Sequence, residues 1–122
     1  MNRVVHFEIS AEKPEELINF YEKTFQWRFE KWSMPMDYWL IMTGEEKLPG
    51  IDGGMKIRDE MGTNTVNTID VQDIDACIEK IIENGGKIKV PKMAVSGVGW
   101  LAYFTDPQEN LFGVMQFDKT AL

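Results

Sequence analysis

The chain has 122 residues, the length of one ordinary domain, with 43% hydrophobic and 27% charged side chains, as in globular proteins. Thirteen basic against twenty acidic residues give a net charge of -7, which excludes nucleic acid and anionic membrane as partners that need a basic surface. No apolar run reaches the ~20 residues of a membrane span, the start MNRVVHFEIS has no signal-peptide core, and the single cysteine, Cys77, rules out an internal disulfide or a cysteine-rich zinc site.

A cytosolic location is therefore expected. Four Trp, three Tyr, seven Phe and eight Met supply a core, with a surplus that suits an apolar pocket or a subunit interface.

Val4–Ser10, VVHFEIS, alternates as a half-buried strand: Val5, Phe7 and Ile9 point one way, His6, Glu8 and Ser10 the other. Pro14 fits the first position of a helix. Leu17, Phe20, Tyr21 and Thr24 follow at helical spacing, and the helix should end near Thr24 or Phe25. Gln26–Ser33 alternates again, and Met34-Pro35-Met36-Asp37 breaks it. Tyr38–Thr43 is a third strand, Gly44–Gly50 a charged turn, and Ile51–Arg58 a shorter strand with paired glycines at Gly53 and Gly54. Such a pair suggests a bulge or a close approach by another group; no helix start or P-loop lysine follows to make it a phosphate loop.

Asp59–Asn64 is polar and reads as a linker, because the pattern then restarts. Thr65–Val71 is a strand. Asp73 can cap a helix carrying Ile74, Cys77, Ile78, Ile81 and Ile82, which Asn84-Gly85-Gly86 stops. Lys87–Val90 is a strand, Pro91 weakens its continuation, and Met93–Gly97 is a loop. Two apolar runs, Val98–Thr105 and Leu111–Phe117, then flank Asp106-Pro107-Gln108-Glu109-Asn110 and predict a hairpin with a long turn. Leu17, Phe20, Tyr21, Thr24 and Phe25 match Ile74, Cys77, Ile78, Ile81 and Ile82 at one constant offset. Two βαβββ modules follow, about residues 1–60 and 61–122, in an α+β fold.

At this point the sequence resembles the vicinal oxygen chelate superfamily of glyoxalase I, bleomycin-resistance proteins and extradiol dioxygenases. The text that carries the resemblance is VVHFEIS, FYEKTFQWRFEKW, IDVQDIDACIEKIIENGGKI and, most specifically, VGWLAYFTDPQENLFGVMQ. The resemblance implies modules that curl into a cupped, incompletely closed barrel with helices outside, a ligand cavity inside, and pairing as a homodimer. In metal-dependent members one ligand comes from the first strand and one from the last strand of each module. His or Gln serves on the first strands and Glu on the last.

Carried over residue by residue, those positions fall on His6, Val66, Gly53-Gly54 and Gly113. Only His6 can ligate, so no metal cofactor is expected, a divalent ion being the alternative. Glu8 shares a strand face with His6, and Gln116 would replace the missing Glu if the last strand slipped in register. His6 and Glu8 are the candidate catalytic pair for acid–base chemistry; a structural hydrogen-bonded pair is the other reading. Tyr38, Trp39, Thr68, Trp100, Tyr103 and Met115 are the candidate ligand-binding residues, although strand parity opposes Trp39 to Tyr38. Trp32 belongs to the same aromatic set. Thr68 and Asp70 share the face of Val66, and Cys77 belongs to a helix stripe as an inert thiol.

The function expected is metal-independent binding of a small organic molecule in the cup. The alternatives are a metal-dependent or acid–base lyase, isomerase or dioxygenase using His6 and Glu8, and a non-catalytic interaction subunit.

Overall fold

The computed structural model describes residues 1–32, 36–62 and 65–122. Ser33 of the expected strand, Met34 and Pro35 of the expected break, and Thr63 and Asn64 of the expected linker lie outside the described residues. The chain is α+β and consists of two βαβββ modules. The first contains β1 (Val4–Ala11), α1 (Pro14–Phe25), β2 (Arg28–Trp32), β3 (Tyr38–Met42) and β4 (Gly53–Ile57). The second contains β5 (Val66–Asp70), α2 (Ile74–Glu83), β6 (Lys87–Val95), β7 (Gly99–Thr105) and β8 (Leu111–Phe117). By compactness the units are His6–Thr65, and Met1–Val5 with Val66–Leu122. The first residues join the second unit because Asn2 N–H donates to the Asp70 carbonyl at 2.6 Å and Asp70 N–H to the Arg3 carbonyl at 2.9 Å.

Within the first unit the strand order is β2-β3-β4-β1. β1 and β4 are parallel, with Glu8 opposite Gly54, and the other pairs are antiparallel. Period-two alternation sends Ala11, Trp39, Ile41 and Met55 to one face, where Leu17 and Ile18 of α1 cover them. Pro14 opens α1, and Gln26 closes it with φ 58°, a left-handed cap in place of the expected strand start. The helix buries less than its stripe predicts. Ile18 shares the inward face with Leu17, which leaves Phe20 on the flank, 51% exposed.

The second unit repeats the plan as β5-β8-β7-β6, with β5 and β8 parallel and Thr68 opposite Gly113. Val71, Ile74, Ala102 and Val114 form its core, covered by Cys77, Ile78 and Ile81 of α2. The Asp73 carboxylate accepts from Ala76 N–H at 3.1 Å and caps that helix. β6 continues through Pro91 to Val95, which corrects the expected stop and loop. Proline's missing donor is tolerated because β6 is an edge strand of its module, and register shifts on either side of Val90 absorb the irregularity.

β7 and β8 form the expected hairpin, closing at Thr105 opposite Leu111. One Asp106 carboxylate oxygen accepts from Gln108 N–H at 2.8 Å and Asn110 N–H at 3.0 Å; the other accepts from the Asn110 side-chain amide at 2.8 Å. Asn110 and then Gln108 hold this exposed carboxyl below the usual aspartate range, against a small opposing effect of burial. A depressed folded-state value stabilises above the unfolded-state value of about 3.9 and ceases to do so as pH falls through the folded one. The stability difference between wild type and Asp106→Asn, from urea unfolding, should therefore shrink as pH drops below about 4. A difference independent of pH would contradict this.

Candidate functional site

The face of the first module opposite α1 carries its polar side chains. β1 supplies His6, Glu8 and Ser10, β3 supplies Tyr38, and β4 supplies Gly54 and Lys56, all through strand parity. His6 Nε2 and the Tyr38 hydroxyl are 3.1 Å apart. Register explains the meeting: Tyr38 pairs with Lys56, two residues along β4 from Gly54, and Gly54 pairs with Glu8. A Cβ on Gly54 would overlap the Tyr38 phenol, so the glycine is what lets the ring lie across the strand. Trp32, the β2 register partner of Tyr38, meets its ring edge-on at 6.0 Å between centroids.

The electrostatics follow from burial and from Glu8, which is only 8% exposed. Burial lowers the His6 imidazole below its ordinary value, opposed by the charges of Glu8 and Asp52. The ring is therefore neutral near pH 7. Burial pushes the Tyr38 hydroxyl far above the usual tyrosine range, and the Glu8 carboxylate adds to this by its charge and as an acceptor. Lys56 Nζ lies 3.8 Å from Glu8 and 3.0 Å from Asp59. Burial raises Asp59, but Met61 N–H and Lys56 outweigh it and hold the carboxyl low. Ser10 Oγ donates to the Gly62 carbonyl at 2.9 Å and ties the following loop to the same face.

The corresponding face of the second module is more apolar. Val66, Thr68, Tyr103 and Met115 lie on it, with Gly113 opposite Thr68 and opposite Tyr103. Val66, Thr68 and Tyr103 are buried. A Cβ on Gly113 would sit 3.3 Å from Thr68 Oγ1 and 3.5 Å from the Tyr103 ring, a tight fit without overlap.

Three expected site residues lie elsewhere. Trp39 is buried in the first module's helix-facing core with Ile41 and Met55, as parity against Tyr38 requires. Trp100 faces α2: its Nε1–H donates to Asp118 at 3.3 Å and Lys92 Nζ stands 4.8 Å from its ring. It lines a cleft of about 530 Å³ with Asp73, Asp75, Lys92 and Gln116, on the helix side and not beside Tyr103. Gln116 is corrected as well. Its side-chain oxygen accepts from Ile74 N–H at 2.9 Å and finishes the start of α2, so it does not replace a metal-binding Glu. Lys56 was not singled out by its sequence pattern; its alternation with Gly54 on β4 was the available signal.

The donor set does not fit a resident metal of the kind described for the fold. His6 alone occupies a ligating position. Gly54 and Gly113 offer no side-chain donor, Val66 is apolar, and the Tyr38 phenol fills the space over Gly54. Among the described residues no group of three or more His, Cys, Asp or Glu is arranged to hold an ion.

The family model described as Glyoxalase/Bleomycin resistance protein/Dioxygenase superfamily matches residues 3–114. The chain belongs to this superfamily. CFP32 of Mycobacterium tuberculosis, which carries a glyoxylase name, is 29% identical over 51 residues, 42% of this chain. That match spans only 20% of the length of CFP32. Protein BH1468 from Bacillus halodurans C-125 superposes with a TM-score of 0.71 at 13% identity, covering 99% of this chain and 98% of that one. A methylmalonyl-CoA epimerase from Mycobacterium tuberculosis gives a TM-score of 0.66 at 14% identity over 94% and 87% of the two chains. At these identities the superfamily member shares a fold with them.

The two glycines should respond differently to a methyl group. Gly54→Ala should cost about 1–3 kcal/mol, the usual penalty of overpacking, and should separate Tyr38 from His6. Gly113→Ala should cost less, because its neighbours have only to give by a few tenths of an ångström. Urea unfolding of both variants checks the order, and equal costs would contradict the reading of Gly54.

Proposed function

We propose that this superfamily member binds a small organic molecule on the His6–Tyr38–Glu8 face, without a tightly held metal. The observation that carries the reading is the Tyr38 phenol lying over Gly54, one of the Gly53-Gly54 pair on which the resemblance puts a metal-ligand position. The resulting surface offers a neutral imidazole, a protonated phenol and a carboxylate with a lysine partner. A few convergent polar groups beside an aromatic, here Trp32, suit recognition of an organic ligand. The proposal includes a homodimer acting in the cytosol. Phe20 and Phe25, each about half exposed beside Tyr21, support a covered apolar face.

Acid–base catalysis by the same groups is the second reading. It is favoured by the 3.1 Å approach of His6 to Tyr38 and by an imidazole that is unprotonated near neutral pH. The epimerase neighbour suggests methylmalonyl-CoA as a carbon-acid substrate with which to test it.

One preparation tests both. The protein is purified without a metal-affinity tag or chelator, assayed for bound metals, sized by light scattering, and screened by thermal shift against small organic molecules including acyl-CoA thioesters. Substoichiometric metal is expected, with at least one compound raising Tm. A compound at about 100 times its Kd adds about 2.7 kcal/mol, several degrees in Tm, and His6→Ala should abolish the shift. A stoichiometric divalent ion lost in His6→Ala would overturn the metal-free reading, and a screen in which nothing shifts Tm would overturn the binding one. Exchange of the methylmalonyl-CoA α-proton in deuterium oxide, lost in His6→Ala and Glu8→Gln, would establish the catalytic alternative.

A further inference from the structure

The Tyr38 hydroxyl has one proton and two neighbours that compete for it. His6 Nε2 stands 3.1 Å away, and the Glu8 side chain shares this face beside Gly54, over which the hydroxyl lies. The backbone brings the three groups together independently. Glu8 lies two residues from His6 on one strand face, it is the register partner of Gly54, and the phenol fills the space over Gly54. An ionised carboxylate can only accept, and hydrogen bonds to it are roughly twice as strong as those between neutral groups. A neutral imidazole nitrogen donates or accepts according to where its proton sits.

We propose that Tyr38 donates its proton to Glu8 and accepts one from His6 Nε2, which makes Tyr38 a positioning residue that fixes the imidazole as its Nε2–H tautomer. Nδ1 is then the acceptor left for a ligand. Among the described residues no hydrogen bond engages that atom. A ligand group that meets Nδ1 is consequently a donor: a hydroxyl, an N–H, or a carbon acid surrendering a proton. The ligand class rests on the small-molecule reading above, whereas the tautomer does not. Lys56, 3.8 Å from Glu8 and 3.0 Å from Asp59, gives the accepting carboxylate a cationic partner. Asp52, the other charge acting on His6, has its Oδ1 engaged by Thr43 N–H at 2.9 Å.

His6 is the only histidine in the chain, so its ring nitrogens can be read without assignment in a long-range proton–nitrogen correlation spectrum of the labelled full chain. At alkaline pH, where the ring is neutral, a protonated Nε2 and an unprotonated Nδ1 are expected. In Glu8→Gln the amide can donate to the phenol oxygen and release Tyr38 to donate to His6. The tautomer ratio should then move toward Nδ1–H by about fivefold or more, the weight of one net hydrogen bond. Tyr38→Phe removes the acceptor and should move it the same way. A merely structural contact would not move this ratio.

A wild-type spectrum dominated by Nδ1–H, or by an even mixture, overturns the proposal whatever the variants do. So does an unmoved ratio in a Glu8→Gln protein that keeps its dispersed amide spectrum. If Glu8→Gln loses that dispersion, the ratio in Tyr38→Phe decides instead. The spectrum requires no ligand, so a thermal-shift screen that fails leaves this result standing and is told apart from it.

Discussion

The constraint on which the polar face depends is steric: there is no side chain at Gly54. Parallel pairing of β1 with β4 puts that position directly beside Glu8, and antiparallel pairing of β3 with β4 places Tyr38 opposite Lys56, two residues along β4 on the same face. Any β-carbon there would displace the phenol. With hydrogen in its place, the ring crosses β4, reaches His6 Nε2, and takes the Glu8 carboxylate as its other neighbour. Imidazole, phenol and carboxylate thus owe their proximity to one missing group rather than to a loop that folds over them.

The second module shows what the same plan yields with different side chains. Gly113 stands opposite Thr68 as Gly54 stands opposite Glu8. At the His6 position there is Val66, and the strand beside β8 presents Tyr103 where the first module presents Leu40. No ring overlaps the place of a β-carbon on Gly113: Thr68 Oγ1 stops at 3.3 Å, a tight contact, and the Tyr103 ring at 3.5 Å. The two modules thus share a backbone plan, with the imidazole, phenol and buried carboxylate on the first.

The elements of the fold were legible because each depends on a local period. The strands alternate, the α2 stripe repeats helically, and Asp106–Asn110 carries turn chemistry that its own carboxylate completes. What was not legible depends on pairing. Pro91 looked like a stop because a sequence does not announce which strand is at an edge. Gln116 looked available because its partner, Ile74 N–H, is 42 residues away in the chain. Trp39 and Trp100 looked like cavity walls by residue type, whereas the pleat turns both toward helices. His6 and Glu8 were visible from strand parity; Lys56 and the overlay of Tyr38 on Gly54 required the register between strands.

Register also decides how a nearly buried carboxylate is tolerated. Removing Glu8 from water carries a large desolvation cost unless charge and hydrogen bonds replace the lost solvent. Lys56, two residues beyond Gly54 on the same strand face, lies 3.8 Å away and is itself tied to Asp59, which the loop after β4 returns to it at 3.0 Å. Met61 N–H donates to the other Asp59 oxygen at 2.9 Å, so the chain of partners ends on the backbone. The carboxylate is thereby held without spending the imidazole as its counter-ion. That division of labour allows His6 to stay neutral, because the cation beside Glu8 is a lysine and the buried ring is left to hydrogen bonding. A face built this way presents a base at Nδ1 and draws its charge balance from β4, which makes the second glycine of the Gly53-Gly54 pair and Lys56 as much a part of the candidate site as the histidine itself.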